Sequence, residues 1–550
     1  MKHVKTRLLT IVLLACAGLP LNIAGQNTIP ELKSTLSTEK LPRSTPELEG
    51  VSSEGILNFL NAIDTGKVEV HSFMFLRHGK VIAEGWWNPY SPAYRHLLYS
   101  ASKTFTATGI GLAVSEGRLK VTDKVVSFFP YSLPDSIGTY MRNLTVENLL
   151  TMSVGQAQES RSMGNNGDWI TSFLGNEPVN KPGTVFRYNN MATFMLSAIV
   201  QQVTGQTLFE YLKPRIFYPL GIRGMDWDLN PQGINLGMIG LRLRTEDLAK
   251  FGQLLLQGGM WNKKQLIPAE WVKTATSFKI ESNDPSNKRP KETYDWGQGY
   301  CYQMWRTRDN GVRLDGMAGQ FVLIYPDKDA VIVLTANARN TQSELDLVHN
   351  YLIPAIKSGS SVPQNPESYK KVVQIQGNLA IKPQFTATSK SELEKRVSGK
   401  EFMLSSNELK IESVYFNFTG DHCSFAIKRD EQITTIRAGL EEWISTNSPF
   451  TSLLNPPRSN ISKSIDANYA VPQPVNKVAA MYAWTEPNTL EITARFVEND
   501  LGSQTIVCNF SGMGESLGVT LSQKSPLQLS RPGALQQPQV LLRGTLIDIK

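Results

Sequence analysis

The stretch from residue 100 to 117, SASKTFTATGIGLAVSEG, constrains this chain more than any other. Its pattern is helical from Ser100 to Glu116, and Gly117 stands where a helix stop belongs. Yet Thr104, Thr106, Thr108, Gly109 and Gly111 are poor helix formers. Such a helix cannot rest on intrinsic propensity and must be held by tertiary packing on its small residues. It is read as a buried central helix, around which a sizeable domain has to be built.

The flanks supply that domain. HSFMFLRHGKVIAEGWW places two β-prone runs around a turn at His78, Gly79 and Lys80, as at a sheet edge. Helices are expected from Thr145 to Met152, Met191 to Thr204 and Thr245 to Gln257, the last with Thr245 as N-cap and acids in its first turn. Two apolar β runs, Gln320 to Tyr325 and Ala330 to Ala336, are joined by PDKD, and a helical segment from Ser343 to Ile356 follows. Strands at both ends with helices between predict an α+β domain: one antiparallel sheet flanked by helices, with a helical subdomain. SGSSVPQNPES, residues 358–368, reads as a linker. Beyond it come short alternating strands, from Leu409 to Phe418, Cys423 to Lys428, Ile433 to Arg437, Thr489 to Val497 and Thr505 to Phe510. They predict an all-β C-terminal domain, a sandwich or small barrel. At 550 residues two domains are expected, since single cores rarely grow past about 300 residues. The boundaries are 26–357 and 369–550, with no repeat at a fixed period.

Ser100 and Lys103 lie three residues apart and share a helix face. A serine hydroxyl is a feeble nucleophile without a base, and desolvation turns lysine into one. SxxK recurs at Ser37 to Lys40, in a polar segment with no packed helix after it, and is read there as chance. In PGTVFRYNNMATFMLSAIV, Tyr188 and Asn190 form a YxN sequence on a turn before an apolar helix. A phenol beside a lysine can relay the serine proton, and an amide can orient a substrate carbonyl. YxN at Tyr415 to Asn417 lies within an alternating strand, where a structural tyrosine is the better account.

SASK, then LLTMSVG at 149–155, YNN at 188–190, GLRLRTEDLAKFGQLLLQGG and DGMAGQFVLIYP resemble the β-lactamase-related serine hydrolase superfamily over residues 46–356. That superfamily includes class C β-lactamases, penicillin-binding D-alanyl-D-alanine peptidases, esterases and aminohexanoate-dimer hydrolases. The resemblance implies a β-lactamase/transpeptidase-like fold. It makes Ser100 the acylated nucleophile, Lys103 its partner, Tyr188 the proton shuttle and Asn190 a substrate ligand. The third family motif falls on Leu314, Asp315 and Gly316, so the cation that helps hold a substrate carboxylate is replaced by leucine. Backbone N–H groups of Ser100 and Met317 are the implied oxyanion hole, with Asp315 and Gly316 in the substrate-binding group. For Asp315 a turn role stands beside substrate binding. Gly319 and Gln320 resemble the ester and nylon-oligomer branch. Tyr302, Trp305 and Trp296 either wall the cleft or pack the sheet.

Other chemistries find little support. There is no HExxH among six histidines and no phosphate-binding glycine pattern, so no cofactor or metal is expected. MKHVKTRLLTIVLLACAGLPLNIAG has the form of a secretory signal, with cleavage after Gly25 favoured over acylation of Cys16. The expected location is periplasmic or secreted, with no transmembrane segment. The formal charge of +7 includes three basic residues in that leader and is interspersed, which is no nucleic-acid footprint. Three cysteines follow the leader, allowing at most one disulfide, with Cys423 and Cys508 as the candidate pair. The expected partner is a small ester, amide or peptide, cell-wall material included. Two other readings stay open: a penicillin-binding-like protein that binds cell-wall peptide or glycan without turnover, and an acyl or peptidyl transferase.

Overall fold

The runs around His78 and Gly79 form strands Val70–Arg77 and Lys80–Trp86. His78 and Gly79 take φ of 51° and 73°, the left-handed turn that matches a hairpin's twist. This is seen in a computed structural model describing residues 40–65, 68–159, 167–282, 286–382, 391–448, 453–454, 462–466, 476–499, 502–524 and 541–546. The hairpin is one edge of a six-stranded sheet ordered Lys80–Trp86, Val70–Arg77, Ala330–Ala336, Gln320–Tyr325, Gly311–Gly316 and Trp305–Thr307. All neighbours are antiparallel.

The period of two in these strands sorts side chains onto two cores. Met74, Leu76, Val322 and Val333 pack with helices Ser102–Ser115, Asn190–Thr204 and Thr245–Leu256 on one face. Phe73, Phe75, Leu323 and Leu334 pack on the other with Ser53–Asp64 and the helical run from Thr341 to Ala355.

Ser102–Ser115 is the expected central helix, buried from Ser102 to Ala113. Its weak helix formers have tertiary work. Any β-carbon on Gly111 would collide with Trp271, and one on Gly109 with Leu208. The Thr104 and Thr106 hydroxyls donate to the carbonyls of Gln303 and Gly237, at 3.0 and 2.8 Å. One end differs from expectation: Thr245 opens its helix as the first helical residue, and its hydroxyl turns inward to Ser72 at 2.7 Å. The N-cap is Arg244, whose backbone N–H donates to Asp247.

The segment read as linker gives way at Pro366 to a helix, Pro366–Gln376, which packs on Ser53–Asp64. Beyond it the β strands form a ten-stranded sheet. Gly439 pairs in parallel with Met481 and closes it into a barrel filled by Phe402, Phe416, Phe425, Trp484 and Phe510. Cys423 and Cys508 are buried in that filling as free thiols, so the disulfide the sequence allowed is not formed. A four-stranded sheet runs Lys463–Ile465, Asp226–Asp228, Leu241–Leu243, His96–Leu97. The described residues make one compact unit. Among the described residues no helix is long and apolar enough to cross a membrane. The leader, Cys16 and Ser37 lie outside the described residues.

Candidate active site

Strand His96–Leu97 delivers Ser100 through a tight turn in which Tyr99 takes φ of 47°, a strained conformation for a bulky residue. Ser100 sits in the 3-10 turn Tyr99–Ala101, one step before the α-helix that carries Lys103. His96 is buried and stacked on Tyr90, and desolvation lowers its pKa to about 3, so it stays a neutral packing residue.

Lys103 is 1% exposed, and its Nζ meets three oxygens: Ser100 Oγ at 3.0 Å, Asn190 Oδ1 at 2.8 Å and the Met238 carbonyl at 3.0 Å. None belongs to a carboxylate. Burial lowers the lysine pKa to about 7, opposed by the charges of Glu159 and Asp315. A neutral amine has two N–H bonds and one lone pair. The Asn190 and Met238 oxygens can only accept, so they take the two N–H bonds and leave the lone pair toward Ser100 Oγ. Glu159 fixes the Asn190 amide the right way round, because its carboxylate accepts from the backbone N–H and from Nδ2 of Asn190.

Tyr188 lies just before helix Asn190–Thr204, whose N-cap Asn189 accepts from the Ala192 N–H. Its ring centroid is 4.8 Å from Lys103 Nζ, and it stacks on Trp305 at 6.0 Å. Burial first, then the Asp315 and Glu159 charges, raise its pKa, while a hydrogen bond with Ser100 opposes. The hydroxyl therefore rests as a phenol.

Gly316 ends strand Gly311–Gly316 directly against the lead-in to Ser100, where a β-carbon would overlap the Leu98 carbonyl. Met317 follows on the turn, which Gln320 Nε2 braces through the Met317 and Ala336 carbonyls at 3.1 and 2.7 Å. Asp315 is a strand residue opposite Phe321, so the turn alternative does not hold. It pairs with Arg313 Nε at 2.9 Å. Leu314 is fully buried in the core.

Ser100, Lys103, Tyr188 and Asn190 thus come together, with Gly316 and Met317 alongside. Asn190 faces the lysine, and Asp315 contributes to the site as charge. Of the three aromatic candidates Trp305 alone touches this group: Tyr302 bonds Glu147 and Trp296 lies over Arg313. The sequence reading missed Glu159 and the Met238 carbonyl. QAQES gave no signal for the first, and a backbone oxygen carries no residue-type signal at all.

The chain belongs to the beta-lactamase family, whose profile matches residues 61–353, more than half of its length. The members are mostly serine hydrolases. The 6-aminohexanoate-dimer hydrolase of Paenarthrobacter ureafaciens is 24% identical over 330 residues, 55% of this chain and 82% of that protein. Protein flp of Staphylococcus aureus (strain MRSA252) is 25% identical over 312 residues, 50% of this chain and 60% of that protein. Among solved structures, the octameric penicillin-binding protein homologue from Pyrococcus abyssi aligns at 16% identity and a TM-score of 0.43, covering 88% of this chain and 99% of its own.

Proposed function

We propose that this protein is an exported serine hydrolase that cleaves an ester or amide bond through an acyl-enzyme on Ser100, with Lys103 and Tyr188 moving the protons. The observation that carries this reading is the set of three uncharged oxygens around the buried Lys103 Nζ, with Ser100 Oγ among them at 3.0 Å.

Ser100 Oγ attacks the substrate carbonyl as its proton passes to Lys103. The tetrahedral oxyanion collects the backbone N–H groups of Ser100 and Met317. Collapse expels the leaving group, which takes a proton from the Tyr188 hydroxyl while Lys103 restores it. Water then attacks the acyl carbonyl, giving its proton to the same pair, which returns it to Ser100 Oγ as the acyl bond breaks. Leu314 offers a substrate carboxylate no cation, which favours neutral esters and amides. The aminohexanoate-dimer hydrolase among the relatives supports the amide side of this reading. Export rests on the leader of residues 1–25.

Stopped-flow hydrolysis of p-nitrophenyl esters tests it. The expected result is a burst of nitrophenol stoichiometric with protein, followed by slower turnover, and no burst in Ser100→Ala. A folded Ser100→Ala that turns over like the wild type overturns the assignment.

A further inference from the structure

The four-stranded sheet supplies the site with backbone. Its strand His96–Leu97 leads into Ser100, and the Leu98 N–H donates to the Leu241 carbonyl at 2.9 Å. The loop between its strands Asp226–Asp228 and Leu241–Leu243 carries Gly237 and Met238, whose carbonyls accept from Thr106 and Lys103. The far edge of this sheet comes from outside the family match: Lys463–Ile465 pairs antiparallel with Asp226–Asp228.

Residues 462–466 grip the loop and the segment leading into Asp226 at several points. The Leu229 N–H donates to the Ser462 carbonyl at 2.8 Å, and Asp466 accepts from the Tyr218 hydroxyl at 2.8 Å and the Gly224 N–H at 3.3 Å. Asn235 Nδ2 donates to Ser464 Oγ at 3.2 Å. The same asparagine accepts from the Phe209 N–H and, through its carbonyl, from Ser197 Oγ. Asn235 therefore ties two helices and the C-terminal strand to one loop, three residues before Met238.

A second hold comes from the barrel. Glu498 accepts from Arg95 N, Nε and Nη2 at 3.0, 3.2 and 2.9 Å, while Arg95 Nη1 reaches Asp226 at 2.7 Å. Arg242 joins Asp226, Asp228 and Asn499 at 2.7, 2.8 and 3.0 Å. Each of the sheet's other three strands is thus braced, directly or through Arg95, by C-terminal residues.

We propose that residues 462–466 together with Glu498 and Asn499 are positioning elements of the active site, holding the small sheet so that the Met238 carbonyl stays on Lys103 Nζ and water stays out. The proposal rests on the reading of Lys103 as the base for Ser100. Slackening the loop frees one lysine N–H from its acceptor and hydrates the amine, which moves its ionisation back toward that of ordinary lysine. The groups facing Lys103 from the surrounding elements are Ser100, Tyr188, Asn190, Glu159 and Asp315, and none belongs to the C-terminal segments, so the effect is transmitted through Met238.

The test uses the full chain with Ser464→Pro and, separately, Glu498→Gln. Proline removes a backbone donor from the edge strand, and glutamine removes the charge facing Arg95. Ser464→Thr is the conservative partner. Two quantities are read: the rate of Ser100 labelling by a fluorophosphonate across pH 5 to 10, and deuterium exchange in the peptide covering residues 236–243. In folded variants the acidic limb of the labelling profile should move up by about one pH unit, with labelling down about fivefold at pH 7 and about tenfold at pH 5, and the high-pH rate near wild type. Exchange in 236–243 should rise, and Ser464→Thr should match the wild type in both. An unmoved limb with unchanged exchange overturns the proposal, as does an equal loss of rate at every pH. If Ser464→Pro fails to fold, Glu498→Gln decides alone. A wild type that takes no label refutes the reading of Ser100, and exchange in the variants still decides the holding role: raised supports it, unchanged overturns it.

Discussion

Lys103 and Arg495 are both buried basic side chains, 1% and 2% exposed, in opposite company. Arg495 faces a carboxylate squarely, with Nη1 and Nη2 on the two oxygens of Glu69 at 2.9 and 2.8 Å. Despite burial, the arginine is held more firmly charged than in water, and Glu69 well below the usual carboxylate range. Lys103 has only neutral oxygens, and burial brings its pKa down to about 7. Desolvation is common to both, and the partner decides its consequence: a paired charge becomes a clamp between barrel and sheet, whereas an unpaired one gives up its proton more readily, as the proposed base must.

The largest effect is expected from removing the proposed base. Lys103→Met should slow acylation by about two to four orders of magnitude. It should also make the protein more stable near neutral pH. The unfolded chain keeps the lysine proton to about pH 10.4, while the folded one holds it only below about 7, so the wild type gains stability as pH rises between those values. The ionisation penalty near pH 6.5 is about 4 kcal/mol, and after the lost hydrogen bonds are subtracted the variant should lead by about 2 kcal/mol. Urea unfolding at pH 6.5 and 9.5 checks this. The lead must shrink at the higher pH, and a variant less stable than wild type at both would break the contrast with Arg495.

The clamp should behave in the opposite way. Arg495→Met leaves Glu69 without its cation and should cost about 3–5 kcal/mol in the same assay, while Arg495→Met with Glu69→Leu should recover much of that. Tyr188→Phe keeps the ring against Lys103 and Trp305 and removes only the hydroxyl. It should lower kcat about a hundredfold with stability little changed. The smallest effect belongs to a half-exposed pair: Glu84→Gln breaks the ion pair with Arg43 and should cost under about 1 kcal/mol.

Legibility in the sequence followed the range of the interaction. The strands Gln320–Tyr325 and Ala330–Ala336 and the hairpin at His78 carry their own period and turn, and they stand where the pattern puts them. The central helix was legible from its small residues, because Gly109 and Gly111 only make sense under close packing. Ser100, Lys103, Tyr188 and Asn190 could be singled out from two short motifs, and the structure brings them together. What escaped is long-range. Lys463–Ile465 is three residues with no alternation to read, and it exists as a strand because Asp226–Asp228 offers an edge. The helix Pro366–Gln376 hides behind a proline-rich start that serves as its first turn. Glu159 reaches Asn190 from a loop, and Thr245 turns its hydroxyl to Ser72 instead of capping, because a buried partner was available.

The central claim is that a neutral Lys103 makes Ser100 a nucleophile, and intact-mass analysis after fluorophosphonate exposure tests it most directly. The account requires one adduct per chain, on Ser100, forming readily above pH 7 and slowly below it, and absent from Ser100→Ala. A folded wild type that takes no adduct, or a Ser100→Ala variant labelled as fast as wild type, would contradict it.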